Sequence, residues 1–300
     1  MCEAEAFGQR ATLIEDSFMD WWKALILGIV EGLTEYLPVS STGHLLLTQR
    51  ALGIPQSQSA DAFAICIQAG AIVAVLGLYF SRVRQMFLGL LGRDAQGLQM
   101  AINVVAAFLP AAVIGLLFEK PIKKYLFGGE AWGLWPIVAA WFFGGAAILV
   151  VSWWQSSRQT KTHQSGLSLE SLTWRMAIVV GLIQCLAMWP GVSRSLVTIV
   201  GGVIVGLSLP AAVEFSFLLG LLTLTAATVY DGLKYGGEMV QSFGVLALFF
   251  GFLGAWVSAV LAVKWMVAYL KSHGMQIFGY YRIALAIVVT VLIFGGWLPH

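Results

Sequence analysis

Fourteen residues near the start of the chain, EGLTEYLPVSSTGH from Glu31 to His44, concentrate polar side chains within an otherwise apolar stretch. Glu31 and Glu35 are four positions apart, so on a helix both carboxylates lie on one face. Acidic side chains at membrane depth are costly and normally mark a functional site. Hard divalent cations prefer carboxylate oxygens. The pair therefore predicts a site for Mg²⁺ or Ca²⁺, and the alternative is a pair of interfacial side chains that reach towards water.

Three hydroxyl side chains, those of Ser40, Ser41 and Thr42, follow Pro38 at the expected start of a helix. Free backbone amides and the positive end of the helix dipole make such a start an anion site. His44 follows one turn later, close enough to exchange a proton with a serine or with a leaving oxygen. These residues predict phosphate binding and nucleophilic chemistry, whereas a structural histidine is the alternative for His44.

A second polar cluster, Ser193, Arg194 and Ser195, follows Pro190 and Gly191 and again coincides with an expected helix start. A planar guanidinium can hold two phosphate oxygens at once. If the two clusters meet, they surround one point with hydroxyls, helix starts and an arginine. We expect a phosphate or diphosphate there, with a metal ion between it and the two glutamates.

The composition defines the elements that must position these groups. The 300 residues are 59% hydrophobic and 11% charged, with a mean hydropathy of +0.84. Soluble domains carry about 25% charged residues, and helices are the expected spanning elements because lipid offers no partner to a free backbone amide. The chain is therefore predicted to be an all-α polytopic membrane protein. Its basic residues are dispersed, which argues against a nucleic-acid partner.

Apolar segments recur along the whole chain, and four of them are too short to cross a bilayer comfortably. The segments lie at about 21–37, 41–54, 62–80, 101–118, 134–154, 176–189, 195–207, 211–230, 243–270 and 280–297. The short ones form two pairs, each broken at a proline, as in re-entrant helix hairpins.

The two broken pairs also predict an internal repeat. Pro38 and Pro190 are 152 positions apart, as are Phe63 and Phe215. Each half then comprises one re-entrant hairpin and three transmembrane helices, and because three is odd the second half must be inverted. We place this inverted-topology repeat at about 21–154 and 176–297, within a single membrane domain of residues 19–300. Residues 1–18 are acidic and are predicted to be a disordered extension, or the result of a start codon upstream of Met19.

Loop charges predict the orientation in the membrane. The side richer in basic residues is expected in the cytoplasm; it carries Arg82, Arg84, Arg93, Arg158, Lys161, Arg175 and Lys271. The first hairpin, and with it the predicted site, then opens to the outside.

The motifs EGLTEYLPVSSTGH and PGVSRS, with IQAGAIVAV and EFSFLL downstream of them, closely resemble the undecaprenyl-diphosphate phosphatase family, the bacitracin-resistance type. The resemblance runs from about residue 24 to the C-terminus. It implies a bacterial inner-membrane enzyme that converts undecaprenyl (C55) diphosphate to undecaprenyl phosphate and inorganic phosphate. Such an enzyme recycles the lipid carrier of peptidoglycan synthesis and confers bacitracin resistance. A homodimer is compatible with it.

The resemblance also implies residue roles. It makes Glu31 and Glu35 the acidic pair, Ser41 the nucleophile, His44 the acid/base and Arg194 the phosphate clamp. A phosphoserine intermediate and direct attack by water both stay open. The family usually reads SRSG, whereas this chain reads SRSL, and Leu196 is expected to reshape the lipid side of the pocket. The alternative function is a transporter or flippase for polyprenyl phosphate, since inverted repeats with a polar midplane site are also a transporter architecture.

Overall fold

The computed structural model describes residues 19–54, 58–118, 133–158 and 166–298, without the side chains of 58–62, 155–158 and 235–242. The predicted extension at residues 1–18 lies outside the described residues. Throughout the described ranges the secondary structure is helical, and the only strand-like pairing there is one isolated bridge between Leu167 and Leu207. The prediction of an all-α fold is confirmed.

The helices follow one another with short connections. In chain order they are α1 (Trp21–Thr34), α2 (Ser41–Ala51), α3 (Gln58–Leu78), α4 (Phe80–Leu90), α5 (Ala95–Leu117), α6 (Trp135–Arg158), α7 (Trp174–Gln184), α8 (Arg194–Ile204), α9 (Leu209–Leu270) and α10 (Gln276–Phe294). Gly244, with φ 69° and ψ 154°, interrupts α9. The two candidate membrane spans within α9 are called here α9a (Leu209–Lys234) and α9b (Phe243–Leu270). Short 3₁₀ helices at Leu169–Ser171 and Cys185–Met188 flank α7.

Within the described ranges, five helices are long and apolar enough to cross a membrane, namely α5, the first twenty residues of α6, α9a, α9b and α10. The pair α3 and α4 makes a sixth candidate, bent by 78° between Leu78 and Phe80. The sequence predicts an apolar spanning segment at 62–80, and Tyr79, near its end, departs from helical geometry. Arg82 and Arg84 follow directly, and the cost of placing them in hydrocarbon accounts for the change of direction. The prediction of a polytopic membrane protein is confirmed.

Two pairs of short helices form the predicted hairpins. The first hairpin is α1 with α2, and the second is α7 with α8. The returning helices begin at Ser41 and Arg194 and end at Ala51 and Ile204, so both ends correspond at a spacing of 153 residues. Equal lengths and equal spacing support the prediction that the two halves repeat. The inverted relation between them stays a prediction.

This spacing of 153 residues is one more than the 152 positions that separate Pro38 from Pro190. The residues immediately before the returning helices are Ser40 and Ser193, with φ of 75° and 69°. In the second hairpin the proline lies one position earlier relative to this serine, and Gly191 at φ 87° follows it. Glycine adopts positive φ without a steric penalty, so the second turn reaches the same helix start by a different path.

The two hairpins pack on each other's half of the chain. In the first hairpin, a side chain at Gly28 would collide with the backbone of Gly251 in α9b. In the second, a side chain at Gly181 would collide with Ala107 in α5. Small residues permit such close crossings of membrane helices. The halves are therefore interdigitated, and each hairpin rests on a spanning helix that the other half supplies.

Candidate active site

The turns that join the helices of each hairpin, called here the first tip (35–40) and the second tip (189–193), lie against each other. Ser195 donates a hydrogen bond of 2.8 Å from its hydroxyl to the carbonyl of Leu37 in the first tip. Arg282 of α10 donates to the carbonyls of Pro38 at 3.2 Å and Gly191 at 2.9 Å, one in each tip. The predicted meeting of the two polar clusters is thus present in the structure.

Glu35 lies at the centre of this meeting point. Its Oε2 accepts a hydrogen bond of 2.6 Å from the Ser41 hydroxyl, and its Oε1 lies 3.4 Å from a terminal nitrogen of Arg194. The side chains of Glu35 and Arg194 are only 7% and 10% exposed. A carboxylate, a hydroxyl and a guanidinium are therefore held together in a largely desolvated place, where electrostatic interactions are stronger than in water.

Arg194 is held by more than its ion pair. Its other terminal nitrogen donates to the carbonyl of Ser216 at 3.1 Å, and the guanidinium lies 5.5 Å from the ring centre of Tyr36. The hydroxyl of Ser216 is in turn 2.6 Å from that of Thr198. A side chain at Gly220 would collide with the guanidinium, so α9a leaves room for it. These contacts fix the plane of the guanidinium and aim it at Glu35.

A cavity of about 160 Å³ opens between the two tips. A cavity needs only about 10–15 Å³ of such space to hold one water molecule, so there is room for a phosphate group. The lining residues are Glu35, Ser40, Ser41, Thr42, Gln68, Ala187, Trp189, Pro190, Gly191, Ser193, Arg194 and Leu224. Four of the five predicted hydroxyl residues are among them. The fifth, Ser195, is fully buried and joins the tips instead.

Both returning helices present their N-terminal ends to this cavity, through Ser40 and Ser193. A non-glycine residue at positive φ is strained, and such residues cluster at functional sites. The hydroxyl of Ser193 accepts a hydrogen bond of 3.3 Å from the amide of Leu196, which caps α8. Within α2, which the structure describes in full, the side chain of Ser40 makes no such cap. Helix N-termini are suited to anions, so the cavity has the polarity of a phosphate site.

Glu31 lies one helical turn before Glu35 and does not line the cavity. Its side chain is 2% exposed, and its Oε2 has no hydrogen-bond partner in the described part of the chain. Among the described side chains, no three histidine, cysteine, aspartate or glutamate residues come together in a way that could hold a metal ion. An unpartnered buried carboxylate oxygen next to a second carboxylate is compatible with a divalent cation, provided that substrate or water oxygens complete its coordination.

His44 is not in contact with the hydroxyl of Ser41, which binds Glu35 instead. Its Nδ1 lies 2.7 Å from the carbonyl of Ser40, and its Nε2 lies 2.7 Å from the hydroxyl of Tyr281. The structure therefore does not show the contact that the predicted proton exchange between His44 and Ser41 requires. Glu35 is the group in position to accept the proton of Ser41.

Comparisons with known proteins agree with this geometry. The family model described as bacitracin resistance protein BacA matches residues 24–288. The chain belongs to this family. It is 44% identical over 275 residues to the undecaprenyl-diphosphatase of Sorangium cellulosum, covering 91% of this chain and 87% of the relative. It is 42% identical over 274 residues to the undecaprenyl-diphosphatase of Methylococcus capsulatus, covering 90% and 94%.

The one departure from the family motif lies outside the cavity. Leu196 lies in the first turn of α8, and its side chain is 3% exposed within the apolar core. It does not line the cavity, and its effect on the lipid side of the pocket stays a prediction. The backbone at this position is helical, and a glycine is not needed there.

Three further polar residues have types that could support the site. Gln68 lines the cavity, and its amide oxygen lies 3.4 Å from the hydroxyl of Thr228. Glu214 binds Arg82 at 2.7 Å and ties α4 to α9a, away from the cavity. The side chain of Asp61 lies outside the described residues.

Sequence reasoning missed two residues of α10, Tyr281 and Arg282. Arg282 is fully buried, and besides its two tip carbonyls it donates to Ala140 at 2.8 Å. The signal was available, because an arginine inside the predicted span 280–297 is expensive and normally functional. Nothing in the sequence indicated that α10 passes behind both tips.

Proposed function

We propose that this protein hydrolyses undecaprenyl (C55) diphosphate to undecaprenyl phosphate and inorganic phosphate. The names of its family relatives support the substrate, and one observation carries the chemistry. Ser41, Glu35 and Arg194 are joined at a single polar cavity between two helix starts. A hydroxyl, a base and a cation in this arrangement are what transfer of a phosphoryl group to a hydroxyl needs.

In the proposed reaction, the Ser41 oxygen attacks the terminal phosphorus while its proton passes to Glu35. The bond from that phosphorus to the bridging oxygen breaks, and polyprenyl phosphate leaves with the bridging oxygen. Glu35 passes this proton to the departing oxygen and is again a carboxylate. Water then attacks the phosphoserine and gives a proton to Glu35. The bond between phosphorus and the Ser41 oxygen breaks, inorganic phosphate is released, and the Ser41 oxygen takes its proton back from Glu35. Arg194 and the helix-start amides neutralise the charge on the transferring group. A direct attack by water, with Ser41 only donating a hydrogen bond, is the competing scheme.

Charge balance at the cavity explains why a cation belongs to this proposal. Glu35 and the incoming phosphate are both anionic and both require Arg194, so substrate binding leaves excess negative charge. Glu31 and Glu35 would hold Mg²⁺ or Ca²⁺ beside the phosphate. Such an ion supplies charge neutralisation at the phosphate oxygens.

The cellular setting follows from the proposed reaction. We place the protein in the bacterial inner membrane, with the cavity opening to the periplasmic side, where it would recycle the carrier for peptidoglycan synthesis and confer bacitracin resistance. A homodimer is part of the proposal, and the mass of the detergent-solubilised protein tests it.

The deciding experiment is phosphate release by purified protein from undecaprenyl diphosphate, with farnesyl diphosphate as a short-chain comparison. We expect release of one phosphate per lipid, and the lipid monophosphate should accumulate. Absence of phosphate release from both lipids, at several concentrations of Mg²⁺ and of Ca²⁺, would overturn the proposal.

The second candidate function is movement of polyprenyl phosphate across the membrane without hydrolysis. The interdigitated hairpins and the buried carboxylate of Glu31 favour it. Vesicles containing a fluorescent polyprenyl phosphate distinguish the two functions. Transport by the Ser41→Ala variant at the parent rate would support the transporter. Phosphate release by the parent protein is measured separately, so the transport result does not decide whether the protein is also a phosphatase.

A further inference from the structure

Two hydrogen bonds through one ring connect α10 with the start of α2. The hydroxyl of Tyr281 lies 2.7 Å from Nε2 of His44, and Nδ1 of the same ring lies 2.7 Å from the carbonyl of Ser40. A carbonyl oxygen can only accept, so Nδ1 must carry the hydrogen. In the neutral ring Nε2 is then the acceptor, and the Tyr281 hydroxyl donates to it. The two contacts together select one tautomer.

The ring of His44 is also enclosed on its sides. The ring of Tyr281 lies nearly parallel to it, at 8° and a centroid distance of 5.7 Å. The indole of Trp141 packs edge-on at 5.6 Å and donates to the carbonyl of Val39 at 3.1 Å. A ring held by two hydrogen bonds and two aromatic neighbours has little freedom to turn towards Ser41.

The acceptor at the end of these two hydrogen bonds is the strained residue of the first tip. Ser40 has φ 75°, and its carbonyl also receives the first backbone hydrogen bond of α2, from the amide of His44 at 3.4 Å. A residue in a costly conformation persists only when its surroundings hold it there. Ser41, whose hydroxyl contacts Glu35, is the next residue, so its position depends on how Ser40 is held.

We infer that Tyr281 is a positioning residue for the phosphatase site, and that it acts through His44. The hydroxyl of Tyr281 orients the imidazole, the imidazole holds the carbonyl of Ser40, and Ser41 is thereby kept against Glu35. His44 then serves as a brace and not as the proton acceptor of the nucleophile. This inference rests on the proposed function, because its main readout is phosphate release.

The first test removes one oxygen atom. Tyr281→Phe keeps the stacked ring but cannot donate to Nε2. A displacement of about 1 Å can cost on the order of a hundredfold in rate, so we expect kcat to fall roughly ten- to hundredfold, with KM within about twofold of the parent. Tyr280→Phe is the matched control, since Tyr280 is the neighbouring residue on α10 and is 64% exposed. Equal kcat for Tyr281→Phe and Tyr280→Phe would overturn the inference.

The second test separates a brace from an acid or base. The side-chain amide of Asn can place a donor near the position of Nδ1 but cannot exchange protons at neutral pH. A brace predicts that His44→Asn keeps kcat within about tenfold of the parent, while His44→Ala loses about a hundredfold or more. Acid/base catalysis by His44 predicts equally severe losses for both variants, and that outcome contradicts the brace.

Coupling between the two residues provides a third measurement. If Tyr281 acts only through His44, adding Tyr281→Phe to His44→Ala should change kcat less than about twofold. Independent, additive losses would show that Tyr281 acts elsewhere. Failure of the proposed function would look different, because the unmodified protein would then release no phosphate.

Discussion

Ser41 and Arg194 occupy the same position in the two hairpins, the first residue of the returning helix, and both contact the carboxylate of Glu35. One is 2.6 Å from Oε2 and the other 3.4 Å from Oε1. Equivalent positions of a repeated element thus carry different chemistry, a hydroxyl in one half and a cation in the other. The carboxylate between them comes from the first half alone, so the site is asymmetric even where the backbone repeats.

Ser41→Ala should abolish phosphate release while leaving a folded protein. Loss of a nucleophile typically costs several orders of magnitude, and we expect kcat to fall at least about a thousandfold. Steady-state release from undecaprenyl diphosphate measures this. Thr290→Val is the control, because the Thr290 hydroxyl donates within its own helix, to the carbonyl of Ala286 at 2.7 Å. A Ser41→Ala enzyme with near-parent kcat would remove the nucleophile assignment and leave direct attack by water.

Arg194→Lys should lose nearly as much activity as Arg194→Ala. The guanidinium contacts Glu35 with one nitrogen and the carbonyl of Ser216 with another. An ammonium keeps the charge but lacks this planar fork, so we expect both variants to fall at least about a hundredfold in kcat/KM. Arg175→Lys, at an exposed position beside Trp174, is the control. A lysine variant close to the parent would show that charge alone is sufficient.

Glu31→Gln should raise the concentration of divalent cation needed for half-maximal activity. Glu31 is buried with one oxygen unpartnered among the described residues, and an amide is a weaker cation ligand than a carboxylate. We expect a shift of about tenfold or more in a Mg²⁺ or Ca²⁺ titration, with little change in KM for lipid at saturating metal. Glu35→Gln should lose activity at every metal concentration, since it also removes the acceptor of Ser41. Parent-like titration curves for Glu31→Gln would exclude a metal role for this carboxylate.

Arg282→Met should destabilise the fold as well as the site. It leaves the buried carbonyls of Pro38, Ala140 and Gly191 without their donor. Each unpaired buried acceptor costs about 1–3 kcal/mol, so thermal unfolding in detergent should occur at a clearly lower temperature. Gly144→Ala should have a similar effect, because a methyl group there would meet the guanidinium.

A second glycine of a membrane helix tests whether this destabilisation is specific to Arg282. Apart from the neighbouring backbone of its own helix, no atom of the described residues lies within 4 Å of a methyl group built at Gly77 in α3. Gly77→Ala should therefore leave the unfolding temperature unchanged or raise it slightly, as alanine favours helices. Equal destabilisation by Gly144→Ala and Gly77→Ala would contradict the role of Arg282 in holding the two tips together.

The broken helices and the polar clusters could be predicted because their signals are local. A proline between two short apolar segments is enough to indicate the hairpins, and EGLTEYLPVSSTGH contains one face of the cavity within fourteen residues. Arg194 could be assigned to the same phosphate because a cation beside a helix start, within an apolar region, is suited to binding an anion and to little else.

The partners of each side chain could not be predicted in the same way. Sequence spacing places His44 one turn from Ser41, but the direction of a ring depends on neighbours such as Tyr281 and Trp141, which are distant in sequence. The path of α10 behind the tips also arises from packing between distant helices. Such contacts cannot be inferred from composition or from hydrophobic periodicity.

The crossing of each hairpin onto the other half's helix has a consequence for biosynthesis. The first hairpin leaves the ribosome early, yet α9b, against which Gly28 packs, and α10, which supplies Arg282, are made last. Until both helices have inserted, the first hairpin lacks the helix against which it packs, and the first tip lacks its hydrogen bond from Arg282. We therefore expect nascent or C-terminally truncated chains in the membrane to be catalytically silent, so that lipid turnover begins only with completed molecules.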